Sequence, residues 1–143
     1  MTGIGAKQVA HVCVLAHDLN AAEHFYCTIL GLTKSFEFTR ANGKIGFYLT
    51  VGERTFIEVF TNPKAPFENQ GQVDHFCLEV ASLDRALAVL RQHNIEIRDG
   101  NKKLGVDQTW QAWIKDPSGT KIELFEYTAK SAQFVGGDRE ANW

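Results

Sequence analysis

The chain has 143 residues, 44% of them hydrophobic and 22% charged, a globular composition long enough to bury one sizeable core. Fifteen Lys and Arg against 17 Asp and Glu leave a formal charge of −2, and no basic cluster stands out. Nucleic acids and anionic membrane surfaces are therefore excluded as partners on electrostatic grounds. The longest apolar runs, at 12–16 and 86–90, span five residues. A membrane-spanning helix needs roughly 20. The start, Met1-Thr2-Gly3-Ile4-Gly5-Ala6-Lys7, lacks the layout of a signal peptide. Cys13, Cys27 and Cys77 are odd in number and have no CxxC spacing, so a reduced, cytoplasmic protein is expected.

In chain order, an apolar, β-branched run around His11 reads as a strand. Ala22, Phe25, Tyr26, Ile29 and Leu30 then form one face of an amphipathic helix, opened by an Asn20–Glu23 capping box and stopped at Gly31. Strands follow at 35–39, 44–51 and 54–60, punctuated by Asn42-Gly43 and Gly52-Glu53. Residues 64–72 read as a linker. A second strand run surrounds His75. Leu83, Ala86, Leu87 and Leu90 stripe a second helix, with Ser82 or Asp84 at its start and Asn94 at its end. Asp116-Pro117-Ser118-Gly119 is a turn between strands at 109–115 and 120–127, and 129–143 reads as a polar tail without periodicity.

The chain repeats itself. Val9-Ala10-His11-Val12-Cys13-Val14 matches Val73-Asp74-His75-Phe76-Cys77-Leu78 at an offset of 64, and Thr55-Phe56-Ile57-Glu58-Val59-Phe60 matches Thr120-Lys121-Ile122-Glu123-Leu124-Phe125 at 65. Two matches in the same order imply two βαβββ modules, 8–63 and 73–128, forming one α+β domain over 8–128.

Strand alternation puts His11, Cys13 and Leu15 on one face, and likewise His75, Cys77 and Glu79. Phe56, Glu58 and Phe60 share another, as do Lys121, Glu123 and Phe125. A pseudo-twofold between modules would bring His11, Glu58, His75 and Glu123 into one cleft. A carboxylate between phenylalanines on a core-facing strand is costly unless paired or coordinated. A divalent ion, Ni, Zn, Co, Mn or Fe, satisfies both carboxylates and takes neutral imidazole as its other donor. Either residue type alone is ordinary in a strand; the repeat is what marks the set. Cys13 and Cys77 read as small core residues, Glu126 as pointing opposite Glu123, and Gln111 with Trp113 as a border to a substrate.

Ala10-His11-Val12, Asp18-Leu19, Phe25-Tyr26 and Leu30-Gly31-Leu32 resemble the opening of the vicinal oxygen chelate superfamily, which holds glyoxalase I, bleomycin-resistance proteins and extradiol dioxygenases. Asp116-Pro117-Ser118-Gly119-Thr120-Lys121-Ile122-Glu123-Leu124 is similar to its closing signature. The resemblance covers roughly 8–128 and implies paired βαβββ modules curled around a metal cleft, commonly in a homodimer. It places metal ligands on His11, Glu58, His75 and Glu123, the set glyoxalase I uses. It also implies a lyase or isomerase that forms an enediolate, with Glu123 or Glu58 as the base, on a small α-hydroxycarbonyl or thiol-hemiacetal substrate such as a glutathione adduct. Asn62 matches a glutathione-contacting asparagine, and Phe56 and Phe60 flank the same site. Leu15 stands where many glyoxalase I proteins have arginine. An epimerase, a thiol transferase and a non-catalytic small-molecule binder are the rival readings.

Overall fold

Residues 7–62, 73 and 75–141 are described by a computed structural model. The expected linker at 64–72 lies outside the described residues. The chain divides into two compact units, Met1–Glu68 and Asn69–Trp143, each taken by itself. The first contains β1 (His11–Ala16), α1 (Leu19–Glu23), β2 (Thr33–Arg40), β3 (Gly43–Thr50) and β4 (Phe56–Thr61). The second contains β5 (Phe76–Glu79), α2 (Leu83–Gln92), β6 (Lys103–Leu104), β7 (Trp110–Lys115), β8 (Lys121–Glu126) and α3 (Ala132–Val135).

Both units weave the same mixed sheet, β1-β4-β3-β2 and β5-β8-β7-β6. In each, the first strand pairs parallel with the last, and the remaining pairings are antiparallel. The α+β class and the repeated βαβββ order expected from the sequence are what the chain forms. The second module is curtailed at its edge: where β2 has eight residues, β6 has two. Among the described residues, no helix is long and apolar enough to cross a membrane.

The helix side of each sheet is the dry side. In the first unit Val14, Ala16, Phe47, Leu49, Ile57 and Val59 are buried, with Ala22, Phe25 and Tyr26 from the helical segment. In the second, Leu83, Leu87 and Leu90 of α2 are buried with Ala112, Ile114, Ile122 and Leu124. Leucines at i, i+4 and i+7 put one stripe against β7 and β8.

Two local readings are corrected. Asp18, not Asn20, caps α1: its backbone is extended, and its carboxylate accepts from the N–H groups of Asn20 and Ala21 at 2.8 and 3.1 Å. Asn20 already lies inside the helix. Glu23 instead accepts from Lys34 and Lys44, at 2.6 and 2.5 Å. The helix then widens into a π-helical stretch, His24–Ile29, where the Leu30 N–H donates to Phe25. Ile29 and Leu30 are only half-buried as a result. The expected tail is in part built in. Ser131 is fully buried, its hydroxyl accepting from Thr109 at 2.8 Å, and the Ala132 N–H donates to Asp107 at 2.8 Å. Ser82 caps α2 by accepting from the Arg85 N–H. The 116–119 turn forms as expected, with Asp116 Oδ1 accepting from Ser118 and Thr120 and with Gly119 at φ +92°.

Two outcomes follow from this packing. Gly46 lies opposite Phe60, and an added Cβ would meet the Val59 carbonyl and stand 2.6 Å from the Phe60 ring. Gly46→Ala should cost about 1–3 kcal/mol, read as a lower urea midpoint with an unchanged slope. Hydrogen bonds from Lys34 and then Lys44 hold the Glu23 carboxyl below its ordinary range. A lowered folded-state pKa stabilises at neutral pH, and that stabilisation fades as pH falls through the lowered value. Glu23→Gln should therefore be less stable than the native chain at pH 7, by at most about 1 kcal/mol after solvent screening. The gap should close as pH drops below about 4, measured by melting curves across pH.

Candidate functional site

The polar residues singled out by the repeat fall on the sheet face away from the helix in each unit. That face is not the helix-covered core, yet Glu123 is buried on it, at 8% exposure. Ile57 and Val59, on either side of Glu58, are the buried neighbours, and Ile122 and Leu124 are those of Glu123. Side-chain alternation sends the carboxylates to the opposite face.

In the first unit, β1 and β4 run parallel with Cys13 beside Glu58. His11, two residues earlier on the same face, reaches across so that its Nε2 lies 3.3 Å from Glu58 Oε2. The second unit repeats this arrangement. Cys77 stands beside Glu123, and His75 Nε2 lies 3.3 Å from Glu123 Oε2. The equivalence extends to the neighbouring strand: Tyr48 pairs in register with Glu58, and Trp113 with Glu123. The Tyr48 ring is 5.8 Å from His11, and the Trp113 ring is 4.5 Å from His75.

The two pairs differ in solvation. The Glu58 side chain is 18% exposed and that of Glu123 10%. Burial raises the Glu123 carboxyl above its ordinary range, against the pull of His75. Cys13 and Cys77 are not core residues; both are exposed on the His–Glu face. Each thiol nevertheless lies against its carboxylate. Desolvation, with the charge of Glu58, raises Cys13; desolvation, with the charge of Glu123, pushes Cys77 up to about 12. Both thiols are therefore protonated at neutral pH. Among the described residues, no three His, Cys, Asp or Glu side chains gather as a cation site; each unit supplies a pair.

The proposed lining residues fall as follows. Phe56 contacts Tyr48, with ring centroids 5.5 Å apart, and Phe60 stacks on Phe38 at 5.0 Å. Tyr48 in turn stacks on Phe36 at 4.8 Å, and the Phe36 residue is 47% exposed. Gln111 accepts from the Trp113 indole N–H at 3.4 Å, which orients the ring beside His75. Asn62 lies just past β4, where its N–H donates to Ala16 at 2.8 Å and extends the parallel ladder. Glu126 does point away from Glu123, and its carboxylate accepts from the Leu83 N–H at 2.7 Å at the start of α2. Sequence reasoning missed Phe36, Phe38 and Tyr48. Tyr48 had a readable signal, being the aromatic opposite Glu58 once a hairpin is closed at Gly52-Glu53.

Comparison with known proteins agrees with this architecture. Residues 8–124 match the model of the Glyoxalase/Bleomycin resistance protein/Dioxygenase superfamily. The chain is 31% identical over 132 residues to the uncharacterized protein YaeR of Escherichia coli (strain K12), covering 86% of this chain and 98% of that one. A lactoylglutathione lyase from Agrobacterium tumefaciens superposes with a TM-score of 0.66 at 21% identity, covering 86% of this chain and 96% of that one. TnmS3, an antibiotic binding protein from Streptomyces sp. CB03234, gives 0.68 at 19% identity, covering 88% and 100%. At such identities, the last two likenesses speak to fold alone, and both enzymes and binding proteins share it. With the matched model spanning well over half its length, the chain belongs to the Glyoxalase/Bleomycin resistance protein/Dioxygenase superfamily.

Proposed function

We propose that the protein is a divalent-metal-dependent lyase or isomerase of the glyoxalase I type, cytoplasmic and active as a homodimer, with one ion per site. One observation carries this reading: the same His–Glu pair, 3.3 Å apart, recurs at the same strand register in both halves. A repeat that preserves imidazole and carboxylate beside each other preserves a donor set. Two neutral nitrogens and two carboxylate oxygens fit Ni, Zn, Co, Mn or Fe in the divalent state. His11, Glu58, His75 and Glu123 would hold it. The ion, when bound, supplies Lewis-acid stabilisation of negative charge on a carbonyl oxygen.

The chain's own groups do the rest. Glu123, the more buried carboxylate, is better placed to take a carbon-bound proton next to a carbonyl and return it to the neighbouring carbon. Glu58, which is more exposed, serves as the second ligand and the alternative base. Trp113, oriented by Gln111, and Phe56 and Phe60 border the substrate, with Asn62 at the end of β4. The substrate class is a small α-hydroxycarbonyl or thiol-hemiacetal, with a glutathione adduct among the candidates.

The aromatic cluster of Phe36, Phe38, Tyr48, Phe56 and Phe60 favours a second reading, a non-catalytic protein that sequesters an apolar ligand. Two measurements separate them. The purified chain should retain a divalent ion at neutral pH, and His11→Ala or Glu58→Ala should lose it, by elemental analysis. Failure of the native chain to hold any divalent ion at neutral pH sinks the metal reading. The metal-loaded protein should also exchange substrate protons with solvent deuterium when screened with methylglyoxal plus glutathione and with α-hydroxyketones. Glu123→Gln should slow that exchange by about 10²–10⁴-fold. Tight apolar binding without exchange in any of them would transfer the assignment to the binder.

A further inference from the structure

The two halves differ most at one sheet edge. In the first unit β2 pairs with β3 from Thr33 opposite Thr50 to Arg40 opposite Gly43, so the outer edge of β3 is covered along its length. In the second unit β6 covers β7 only at Trp110 and Gln111. The rest of β7, 112–115, has β8 on one side and, among the described residues, no strand on the other. Two hydrogen bonds fix which backbone groups face outward. The Thr109 carbonyl accepts from the Gly105 N–H, on the β6 side, and the Asp116 N–H donates to the Thr120 carbonyl, on the β8 side. Successive residues of an antiparallel strand alternate between the two sides. Trp113 and Lys115 therefore send N–H and C=O outward, and among the described residues no backbone group bonds them there.

This open edge borders a cavity of about 680 Å3, lined by Trp113, Ile114 and Lys115 and by 94–96, Arg98 and Asp99. The first unit shows what such an edge accepts. Phe36 of β2 lies opposite Tyr48, the counterpart of Trp113, with the two rings stacked at 4.8 Å. Thr33 lies opposite Thr50, the counterpart of Lys115. The second unit keeps the aromatic and replaces the threonine by an exposed lysine. A lysine on an open edge discourages indiscriminate pairing, whereas an acidic residue directly opposite it is attracted. Arg98, whose guanidinium lies 5.9 Å from the Trp113 ring, adds a second positive charge at the same place. Glu96 opposes them, but Asp99 is engaged by Lys103 at 2.8 Å.

We infer that the open edge of β7 is a docking site for an extended segment of a partner protein, added as an antiparallel strand in the way β2 adds to β3. The partner residue opposite Lys115 is acidic, and the one opposite Trp113, two positions later in the partner, is aromatic. Main-chain bonds to Trp113 and Lys115 supply the affinity, and these two side chains the selection. A second copy of this chain fits poorly, because it would bring its own Lys115 and Arg98 to the same seam. Docking sets the partner's aromatic ring beside Trp113, whose own ring is 4.5 Å from His75. None of this requires an ion at the His–Glu pairs.

The test uses the full chain and a capped peptide, Thr-Glu-Val-Phe-Val-Thr, in calorimetric titration and amide hydrogen exchange. The peptide should bind saturably and slow exchange at Trp113 and Lys115 by about tenfold or more, with no comparable change at Ala112 and Ile114, whose N–H groups face β8. Methylating the peptide's Glu and Phe nitrogens, which removes the donors facing β7, should abolish binding. Lys115→Glu should weaken the peptide about tenfold, and a peptide with lysine in place of glutamate should recover the loss. Lys115 is exposed, so this variant should melt with the native chain. No binding of the peptide overturns the proposal. So does equal affinity of the methylated peptide, or of the Lys115→Glu chain, which would place the peptide elsewhere. Protection of Trp113 and Lys115 that rises with protein concentration in the absence of peptide would give the edge to a second copy and overturn it as well.

Discussion

The parallel pairing of first and last strands within each half is the constraint on which the rest depends. Parallel neighbours cannot be joined by a tight turn and need a long crossover. Here the crossover contains a helix and two further strands, and that helix must cover one sheet face to bury its own apolar stripe. The face it covers becomes the core, with Ile57 and Val59 in one unit and Ile122 and Leu124 in the other. Side-chain alternation then leaves the intervening residues, Glu58 and Glu123, on the face the helix does not reach. Parallel register sets a cysteine beside each, and a histidine two residues earlier leans across. The His–Glu pair is thus a consequence of topology as much as of residue choice.

Such a pair sits between the exposed and the fully buried extremes. A fully exposed carboxylate beside an imidazole is a surface ion pair worth little. A fully buried one would leave two groups with little room to reach anything else. Glu123 is mostly desolvated while His75 remains about one-third exposed, so the pair is open on the histidine side. The thiols reinforce this: Cys77, beside the drier carboxylate, is raised to about 12 and acts as a neutral spacer rather than a competing anion.

Much of this was legible in the sequence because it was written twice. A single His in a strand run carries little information, but His11 with His75, and Glu58 with Glu123, at offsets of 64 and 65, fix each other. The helix stripes and the 116–119 turn were legible for a different reason, since they depend on contacts within a few residues. What was lost needed register or distant partners. Asp18 and Asn20 are both good caps by type, and only the extended backbone at Asp18 separates them. Cys13 is small enough for a core, and its exposure follows from which face the helix covers. The Ser131–Thr109 bond joins positions 22 residues apart with no pattern to announce it. Phe36 and Phe38 depend on a register shift in β2, where a slip of one residue would send them to the other face.

Where the two halves agree and where they part are different kinds of information. Agreement extends over the strand order, the His–Glu pair, the aromatic opposite the carboxylate and the cysteine beside it. All of these are positions within one residue pair of the glutamate. Divergence begins one pair further out, with Phe56 and Thr50 against Lys121 and Lys115, and at the sheet edge, with eight residues of β2 against two of β6. A fold that needed only to bury a core would have no reason to hold the inner ring fixed, because that ring lies on the less buried face. A fold that needed only one binding surface would have no reason to make the outer rings unlike, one aromatic and one cationic. A shared inner arrangement with separate outer contacts meets both conditions, and it does so by changing side chains and the length of one edge strand.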